Sequence, residues 1–256
     1  MSQAPVSVWL ERDGALLRLR LARPKANVID APMIAALHDA FRTHRENPGL
    51  LAALVDHEGP HFSFGASVEE HLPQHCEQML RSLHALVREM LEWPKPILFA
   101  VRGQCLGGGL ELVLAGSLVF AAPEAALGQP ELKLGVFAPA ASVLLPLRIG
   151  QARAEDLLLS GRPVDGATAQ AWGLVNQLAE DPSAAALAWF EAHLSRKSSA
   201  AMVFAMQAAR EPFAALAAAR LEDVEALYLE KLMATRDANE GLSAFLEKRQ
   251  PRWEHR

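Results

Sequence analysis

Apolar residues in the first half of the chain recur with two different periods, one typical of strands and one typical of helices. Residues 6–11 and 15–22 flank an Asp-Gly pair, which is a strong short signal for a β-hairpin. The second arm alternates apolar and basic residues, as a half-buried strand does. Asp30 follows a break and is placed to cap a helix over residues 31–47, whose apolar positions share one face.

The same order of elements is repeated further along the chain. Residues 50–56 and a short strand over 61–67 precede a helical pattern over 68–93, which Pro73 interrupts. A third set of strands occupies 97–122, with helices after it. Repetition of a strand-strand-helix unit predicts an α/β fold in which the units form one spiralled core.

The chain becomes rich in alanine and leucine after residue 137. Helices are predicted over 140–149, 152–160 and 165–172, a strand over 174–178, and long amphipathic helical stretches over 183–210 and 213–246. We therefore expect residues 1–182 to form the core that carries the functional site. Residues 183–256 are expected to form a helical region that closes the site and provides an oligomer interface.

Composition and charge exclude several classes of protein. The 256 residues are 51% hydrophobic and 21% charged, with a net charge of −5 and no basic block among the 25 Lys and Arg, which argues against a nucleic-acid partner. The two cysteines have neither metal-ligand nor disulfide spacing. Neither a signal peptide nor an apolar run of ~20 residues is found, so we expect a cytoplasmic protein without a membrane partner.

The most promising chemistry lies around three consecutive glycines, at 107–109, between a buried strand and an apolar helix. Glycines there allow a ligand to approach the backbone closely, and the amides at a helix N-terminus favour negative charge. Glu111 follows the glycines, and Glu131 lies in a Gly-Gln-Pro-Glu segment. Amides aimed at a developing oxyanion, together with two carboxyls for proton transfer, are suited to chemistry beside a carbonyl group.

Five motifs in this order resemble the crotonase, or enoyl-CoA hydratase, superfamily from end to end. They are Arg23-Pro24-Lys25-Ala26, Phe62-Ser63-Phe64-Gly65-Ala66, the glycine-rich segment 103–109, the pair Glu111 and Glu131, and the closing segment 240–249. The resemblance implies a crotonase-type spiral of ββα repeats with a C-terminal helical layer used in trimerisation. It also implies a homotrimer, or a hexamer formed by two trimers.

The resemblance also implies a role for each motif. The backbone amides of Ala66 and Gly108 would form the oxyanion hole, Glu111 would activate water, and Glu131 would protonate carbon. The substrate would be an acyl-CoA thioester, so coenzyme A is part of the substrate and neither a cofactor nor a metal is expected. Further residues expected to bind coenzyme A or the acyl group are Lys25, Ala26, Phe64, Ser67, Val68, Leu106, Pro130, Phe137, Pro139, Phe245 and Lys248.

Two departures from the common family pattern bear on the acyl group. The first loop has Ser63-Phe64-Gly65-Ala66-Ser67 where Ala-Ala-Gly-Ala-Asp is common, and the usual glycine-rich turn after Glu131 is replaced by a segment containing Pro139 and several alanines. Proline in place of glycine stiffens the wall of the acyl pocket. With these departures the chain resembles the members of the family that act on a six-membered cyclic diene thioester in anaerobic degradation of aromatic acids, and the resemblance implies a hydro-lyase with 1,4-addition of water.

Three other activities within the superfamily remain open. A straight-chain 2-enoyl-CoA hydratase would share every catalytic residue and differ in pocket shape. An isomerase would typically keep one acid-base carboxyl, so the pair counts against it. RNA-binding relatives have a lysine-rich first helix, whereas residues 31–47 contain Arg42 and Arg45 but no lysine. His84 has apolar neighbours, which favours a packed helix histidine over a functional one.

Overall fold

The computed structural model describes residues 4–256, in which strands and helices alternate along the first two thirds of the chain. The strands are β1 (Val6–Glu11), β2 (Leu16–Leu21), β3 (Ala52–His57), β4 (Ile97–Val101), β5 (Gln104–Leu106), β6 (Leu118–Ala121), β7 (Ala126–Gly128), β8 (Pro163–Asp165) and β9 (Gln177–Leu178). The helices are α1 (Ala31–His44), α2 (Cys76–Leu91), α3 (Gly108–Ala115), α4 (Pro139–Ile149), α5 (Gln151–Ser160), α6 (Gly166–Ala171), α7 (Pro182–His193), α8 (Ser199–Ala226) and α9 (Arg236–Leu246). Short 3₁₀ turns cover Glu69–His71, Glu131–Leu134 and Leu232–Ala234, and a π-helical turn covers Leu227–Lys231.

Two sheets organise the chain. The larger has the strand order β1-β2-β3-β4-β6-β9, with β1 and β2 antiparallel and every later pair parallel, and the smaller has the order β5-β7-β8. The predicted hairpin is confirmed, and so is the Asp30 cap, whose Oδ1 accepts from the Met33 amide at 3.0 Å. The first strand-strand-helix unit, β1-β2-α1, follows the predicted order. In the third, α3 lies between β5 and β6, within the range 97–122 and not after it as predicted.

The second unit differs from the prediction because residues 61–67 do not form a strand. Only two isolated bridges occur there, between Ile29 and Ala66 and between Ser63 and Cys105. Gly65 has a φ of +103°, which turns the backbone out of the extended conformation. The segment is therefore a loop that is held by these two bridges, and this loop carries part of the candidate site.

The larger sheet is buried on both faces. One face packs against α1 to α5 through residues such as Leu19 and Phe99, while the other packs against α7 through Leu54 and Phe190. Burial on both faces is typical of parallel strands covered by helices. The prediction of a half-buried second strand is therefore wrong, because α7 covers the face that carries Arg18, leaving that residue 3% exposed.

Arg18 is accommodated in this interior by a carboxylate. Asp56 accepts hydrogen bonds from Arg18 Nη2 at 2.5 Å, from Arg20 Nε at 2.8 Å and from Ser183 Oγ at 2.9 Å. Burial alone would raise the pKa of Asp56, but the hydrogen bond from Arg20 and the charge of Arg18 outweigh it and lower that pKa. The network ties β2 and β3 to the first turn of α7.

The C-terminal helices divide at places that local sequence does not mark. The predicted break at 211–212 is wrong, because α8 runs through Pro212, while the chain leaves the helical conformation at 194–198 instead. Buried residues Arg210, Ala214 and Ala217 lie on both sides of Pro212, so packing outweighs the ~3 kcal/mol that an internal proline costs. None of the helices in residues 4–256 has the length and apolarity needed to cross a bilayer.

We expect Asp56→Ala to destabilise the protein by about 3 kcal/mol, the low end for a broken buried ion pair, because Glu11, whose Oε1 lies 3.1 Å from Arg18 Nη1, remains among residues 4–256 as the one counter-charge of the buried guanidinium. Chemical denaturation at neutral pH followed by circular dichroism measures this loss. Asp156→Ala is the matched control, since it removes a solvent-exposed partner of Arg162 and should leave unfolding unchanged. Equal unfolding of both variants and the wild type would contradict this account of the network.

Candidate active site

The loop at 62–66, which follows β3, meets the loop at 106–109, which follows β5. In the first, the Ser63 amide donates to the Gln104 carbonyl at 3.0 Å, and the Leu106 amide donates back to the Ser63 carbonyl at 3.0 Å. A Cβ placed on Gly108 would lie 3.2 Å from the Ala66 amide nitrogen. The structure thus brings the two predicted oxyanion-hole positions together. Neither the Ala66 nor the Gly108 amide has a hydrogen-bond partner within residues 4–256.

Ser63 fixes the shape of the first loop. Its side chain is fully buried, and its Oγ donates to the Asn27 carbonyl at 2.8 Å and accepts from the Gly65 amide at 3.0 Å. One residue further, the Phe64 amide donates to the Ala26 carbonyl at 2.9 Å. These bonds attach the loop to the segment that sequence predicts for coenzyme A binding. An alanine at position 63, as is common in the family, could not make the two bonds of Oγ.

Glu111 lies in the first turn of α3 and is 3% exposed. Its Oε1 accepts from the amide of Ala141, at the beginning of α4, at 2.9 Å. Burial raises the pKa of Glu111 to about 7, against the opposing effect of the Ala141 and Ala140 amides. A carboxyl with this pKa exchanges protons readily near neutral pH.

Glu131 begins the 3₁₀ turn that follows β7 and lies against the second loop. A Cβ on Gly107 would collide with Glu131 Oε1, and Gly107 has a φ of +51°, so only glycine fits there. With its NH₂ turned toward the carboxyl, the fully buried Gln129 donates to Glu131 Oε1 at 3.1 Å and Oε2 at 3.0 Å. Burial and then the charge of Glu111 raise the pKa of Glu131 to about 8.

The two carboxyls form an electrostatically coupled pair, in which Glu111 is buried and Glu131 is partly buried. Because each disfavours ionisation of the other, the pair loses its protons in two steps that belong to both residues. At neutral pH one carboxyl can therefore be ionised while the other keeps its proton. This arrangement can supply a general base and a general acid at the same time, beside two unoccupied backbone donors.

The other predicted site residues are either packed near the loops and α4 or exposed on the surface. Leu106 and Pro130 flank the two loops, while Val68 and Phe137 pack around the cluster that contains Tyr228. Pro139 is buried at the first position of α4, and Ser67 Oγ bonds Glu69 Oε2 at 3.1 Å. Lys25, Phe64, Phe245 and Lys248 are exposed. Within the described part of the chain, none of these four makes a side-chain hydrogen bond or salt bridge to another predicted site residue.

Sequence reasoning did not assign functions to Gln129, Ser63 or the amide of Ala141. Gln129 stands in the same four-residue segment as Glu131 and is 1% exposed. Its position as a polar residue at the end of an apolar strand is the sequence signal that could have identified it. The Ala141 amide has no side-chain signal at all.

His84 is fully buried, and its Nδ1 lies 2.7 Å from Glu225 Oε2. Among residues 4–256 no group of His, Cys, Asp and Glu has the arrangement of a metal site.

The raised carboxyl pKa values predict how stability changes with pH. Because the ordinary glutamate value is 4.5, the folded state holds more protons than the unfolded state from there to about pH 8, and the free energy of unfolding falls as pH rises through that window. Glu131→Gln removes the titrating group, so its Tm should exceed the wild-type Tm by at least about 2 °C at about pH 8.5 and by less at about pH 5. Calorimetry at both pH values measures this, with the exposed Glu77→Gln as control. Equal shifts at the two pH values would contradict it.

Comparison with known proteins agrees with this geometry. Residues 11–256 match the family model for enoyl-CoA hydratase/isomerase. The chain is 63% identical over 258 aligned residues to cyclohexa-1,5-dienecarbonyl-CoA hydratase of Thauera aromatica, covering 100% of both proteins, and 29% identical to carnitinyl-CoA dehydratase of Proteus mirabilis, covering 98% of this chain and 99% of that one. The crystal structure of an enoyl-CoA hydratase/isomerase from Pseudoalteromonas atlantica superposes with a TM-score of 0.84 at 27% identity, covering 97% of this chain and 99% of that one. The crotonase-type α/β fold is thereby confirmed, and the chain belongs to the enoyl-CoA hydratase/isomerase family.

Proposed function

We propose that this protein hydrates cyclohexa-1,5-diene-1-carbonyl-CoA to 6-hydroxycyclohex-1-ene-1-carbonyl-CoA. The pair of buried Glu111 and partly buried Glu131, beside the free amides of Ala66 and Gly108, carries the hydratase part of this proposal. The ring substrate is supported by the full-length relative from Thauera aromatica, whose name states that substrate. Coenzyme A enters as part of the thioester, and the reaction as proposed needs no separate cofactor.

The thioester carbonyl provides the electronic basis of the reaction. When hydroxide adds to the β-carbon, charge develops on the carbonyl oxygen, and the amides of Ala66 and Gly108 are the donors we assign to it. Removal of one such donor typically costs about 3–4 kcal/mol of transition-state stabilisation. Both amides belong to loops held by hydrogen bonds, so they need no reorganisation when the charge appears.

The proposed addition begins at the attacking water. Glu111 takes a proton from water, and the hydroxide forms a bond with ring carbon 2, which is β to the carbonyl carbon. The electrons of the two double bonds move so that a new double bond joins carbons 1 and 6. Glu131 delivers its proton to carbon 5, at the far end of the diene. One water is consumed, and a later proton exchange returns both carboxyls to their starting states.

The beginning of α4 links the acyl wall to the catalytic base. Pro139 occupies the first helical position, where its fixed φ preorganises the turn. Two residues later, the Ala141 amide holds Glu111 Oε1. A rigid wall therefore also fixes the orientation of this carboxyl, and small displacements of reacting groups can cost about 100-fold in rate.

The remaining assignments extend the same proposal. We assign the coenzyme A moiety to the exposed residues Lys25 and Lys248, supported by their lysine charge and by the family resemblance. A homotrimer, or a hexamer of two trimers, is supported by large apolar side chains exposed on the C-terminal helices, among them Phe204, Leu216 and Phe245. Division into a core of residues 1–182 and a helical region of 183–256 stays a prediction.

We expect Glu111→Gln and Glu131→Gln each to lower kcat by at least ~100-fold, because each removes one acid-base group. The amides keep the shape and the hydrogen-bonding capacity of the side chains, so affinity for an acyl-CoA thioester should be retained. Steady-state hydration rates and calorimetric titration measure the two quantities. Exposed Glu77→Gln serves as control, and near wild-type turnover in either active-site variant would remove that residue from the mechanism.

We also expect kcat/KM for the cyclic dienoyl-CoA to exceed that for crotonyl-CoA by at least ~100-fold, or roughly 3 kcal/mol. Pro139→Gly should reduce activity on the cyclic substrate more than it reduces thioester affinity, since it loosens the turn that holds Glu111. Pro182→Gly is a matched control, because Pro182 is also buried at the first position of a helix. Comparable efficiency on both thioesters would instead identify a straight-chain 2-enoyl-CoA hydratase.

A further inference from the structure

Two arginines lie at the end of α3 that is remote from the site. Arg148 belongs to α4 and is partly buried, and Arg210 belongs to α8 and is 9% exposed. Burial lowers the pKa of Arg148, and burial together with the charge of Arg148 lowers that of Arg210 to about 10. No carboxylate of residues 4–256 opposes these shifts. Burying a charge without a counter-charge is costly, so the partners of these two guanidiniums must be other polar atoms.

Both guanidiniums donate to the last carbonyls of α3. Arg148 Nε and Nη2 donate to the Leu114 carbonyl at 3.1 and 2.8 Å, and Nη2 also donates to the Gly116 carbonyl. Arg210 Nη2 donates to the Gly116 carbonyl at 3.0 Å and to the Ala115 carbonyl. The last carbonyls of a helix lack partners within the helix, and positive charge is favoured at that end. The two arginines therefore cap α3 from two other helices.

The same contacts fasten this end of α3 to the larger sheet. Arg210 Nη1 donates to Ser117 Oγ at 2.9 Å, and that oxygen also accepts from the Ile97 amide of β4 at 3.1 Å. The Ser117 amide donates back to the Ile97 carbonyl at 2.7 Å. A Cβ on Gly116 would lie 2.5 Å from the Phe99 ring, so the backbone here packs directly on the sheet. The end of α3 is thus held by α4, by α8 and by β4.

Helix α4 holds α3 at both of its ends. Near the beginning of α4, the Ala141 amide donates to Glu111 Oε1 in the first turn of α3, and near the end of α4, Arg148 bonds the Leu114 carbonyl. Eight residues of α-helix are about 12 Å long, so α3 is a short rod. A shift of its last turn is therefore carried to its first turn, which holds the Gly108 amide and Glu111. The contacts that fix the far end of α3 also fix these two groups.

We propose that Arg148 and Arg210 are positioning residues for the hydration. By holding the last turn of α3, they fix the place of the Gly108 amide against the thioester oxygen and of Glu111 against the attacking water. This inference rests on the proposed function. Both arginines act through the helix and transfer no proton, so the balance of the addition is unchanged. Arginine suits this role, because its planar fork of donors bonds carbonyls in fixed directions, whereas lysine offers one compact ammonium group.

Arg148→Lys and Arg210→Lys test the proposal, since each keeps the positive charge but removes the planar fork of donors. We expect each to lower kcat at least ~10-fold, because a small displacement of reacting groups is enough for such a loss. Affinity for the unreactive thioester benzoyl-CoA should stay within about 2-fold of the wild type. Steady-state hydration rates and calorimetric titration measure both quantities, with kcat expressed per binding site that the titration counts. A kcat within about 2-fold of the wild type in both variants would overturn the proposal.

Arg18→Lys is the matched control, because Arg18 is also a buried arginine but bonds Asp56 in the network of β2, β3 and α7. It should lower Tm, as the α3 variants do, and leave kcat per binding site unchanged. This comparison separates positioning from a general loss of stability. An equal loss of kcat in Arg18→Lys would overturn the proposal.

The carbonyl of a bound thioester reports the position of α3 directly. In benzoyl-CoA labelled with ¹³C at the thioester carbonyl, hydrogen bonds from the amides of Ala66 and Gly108 should lower the C=O stretching frequency on binding. Infrared difference spectra should show a smaller lowering in Arg148→Lys and Arg210→Lys than in the wild type and in Arg18→Lys. Equal frequencies in all four proteins would contradict the inference even where kcat has fallen.

Failure of the proposed function has a different signature. If the wild type hydrates crotonyl-CoA but not the cyclic dienoyl-CoA, the ring substrate is refuted, and the same losses of kcat are expected with crotonyl-CoA. If the wild type hydrates neither thioester, the proposed function is refuted and this inference with it. If the wild type is active and the Arg148 and Arg210 variants keep its rate, this inference alone is refuted.

Discussion

The contact between the loop at 62–66 and the loop at 106–109 is the constraint on which the site depends. It requires a small residue where the backbones approach, since a side chain on Gly108 would press against the Ala66 amide and one on Gly107 would displace Glu131. Hydrogen bonds between Ser63, Gln104 and Leu106 hold the two loops in register. The contact also joins the two sheets, because the first loop follows β3 of the larger sheet and the second follows β5 of the smaller one.

Buried carboxylates have opposite consequences in two parts of this protein. Asp56 is surrounded by Arg18, Arg20 and Ser183, so its charge is compensated, its pKa falls, and it stabilises the packing of α7 on the sheet. Glu111 and Glu131 have no cationic partner among residues 4–256, and their pKa values rise toward neutrality. The second arrangement opposes folding at neutral pH, and the same property makes these carboxyls suitable for proton transfer.

The beginning of α4 contributes to the site from outside the two loops. Its Ala141 amide holds Glu111 Oε1, and Pro139 is buried at the first position of the same helix. This contribution does not come from the glycine-rich segment that marks the family. We infer that the glycine loops provide the thioester chemistry common to the family, while the beginning of α4 adapts the acyl site to the proposed ring substrate.

Sequence by itself determined the hairpin, the Asp30-capped helix, the repetition of strands and helices, and the pairing of a glycine loop with two glutamates. These features depend on periodicity and capping, which act over a few neighbouring residues. Only the tertiary structure decided that residues 61–67 form a loop, that α8 continues through Pro212, and that Glu111 meets an amide 30 residues away. Each of these results from packing between segments distant in sequence, where burial outweighs local preference.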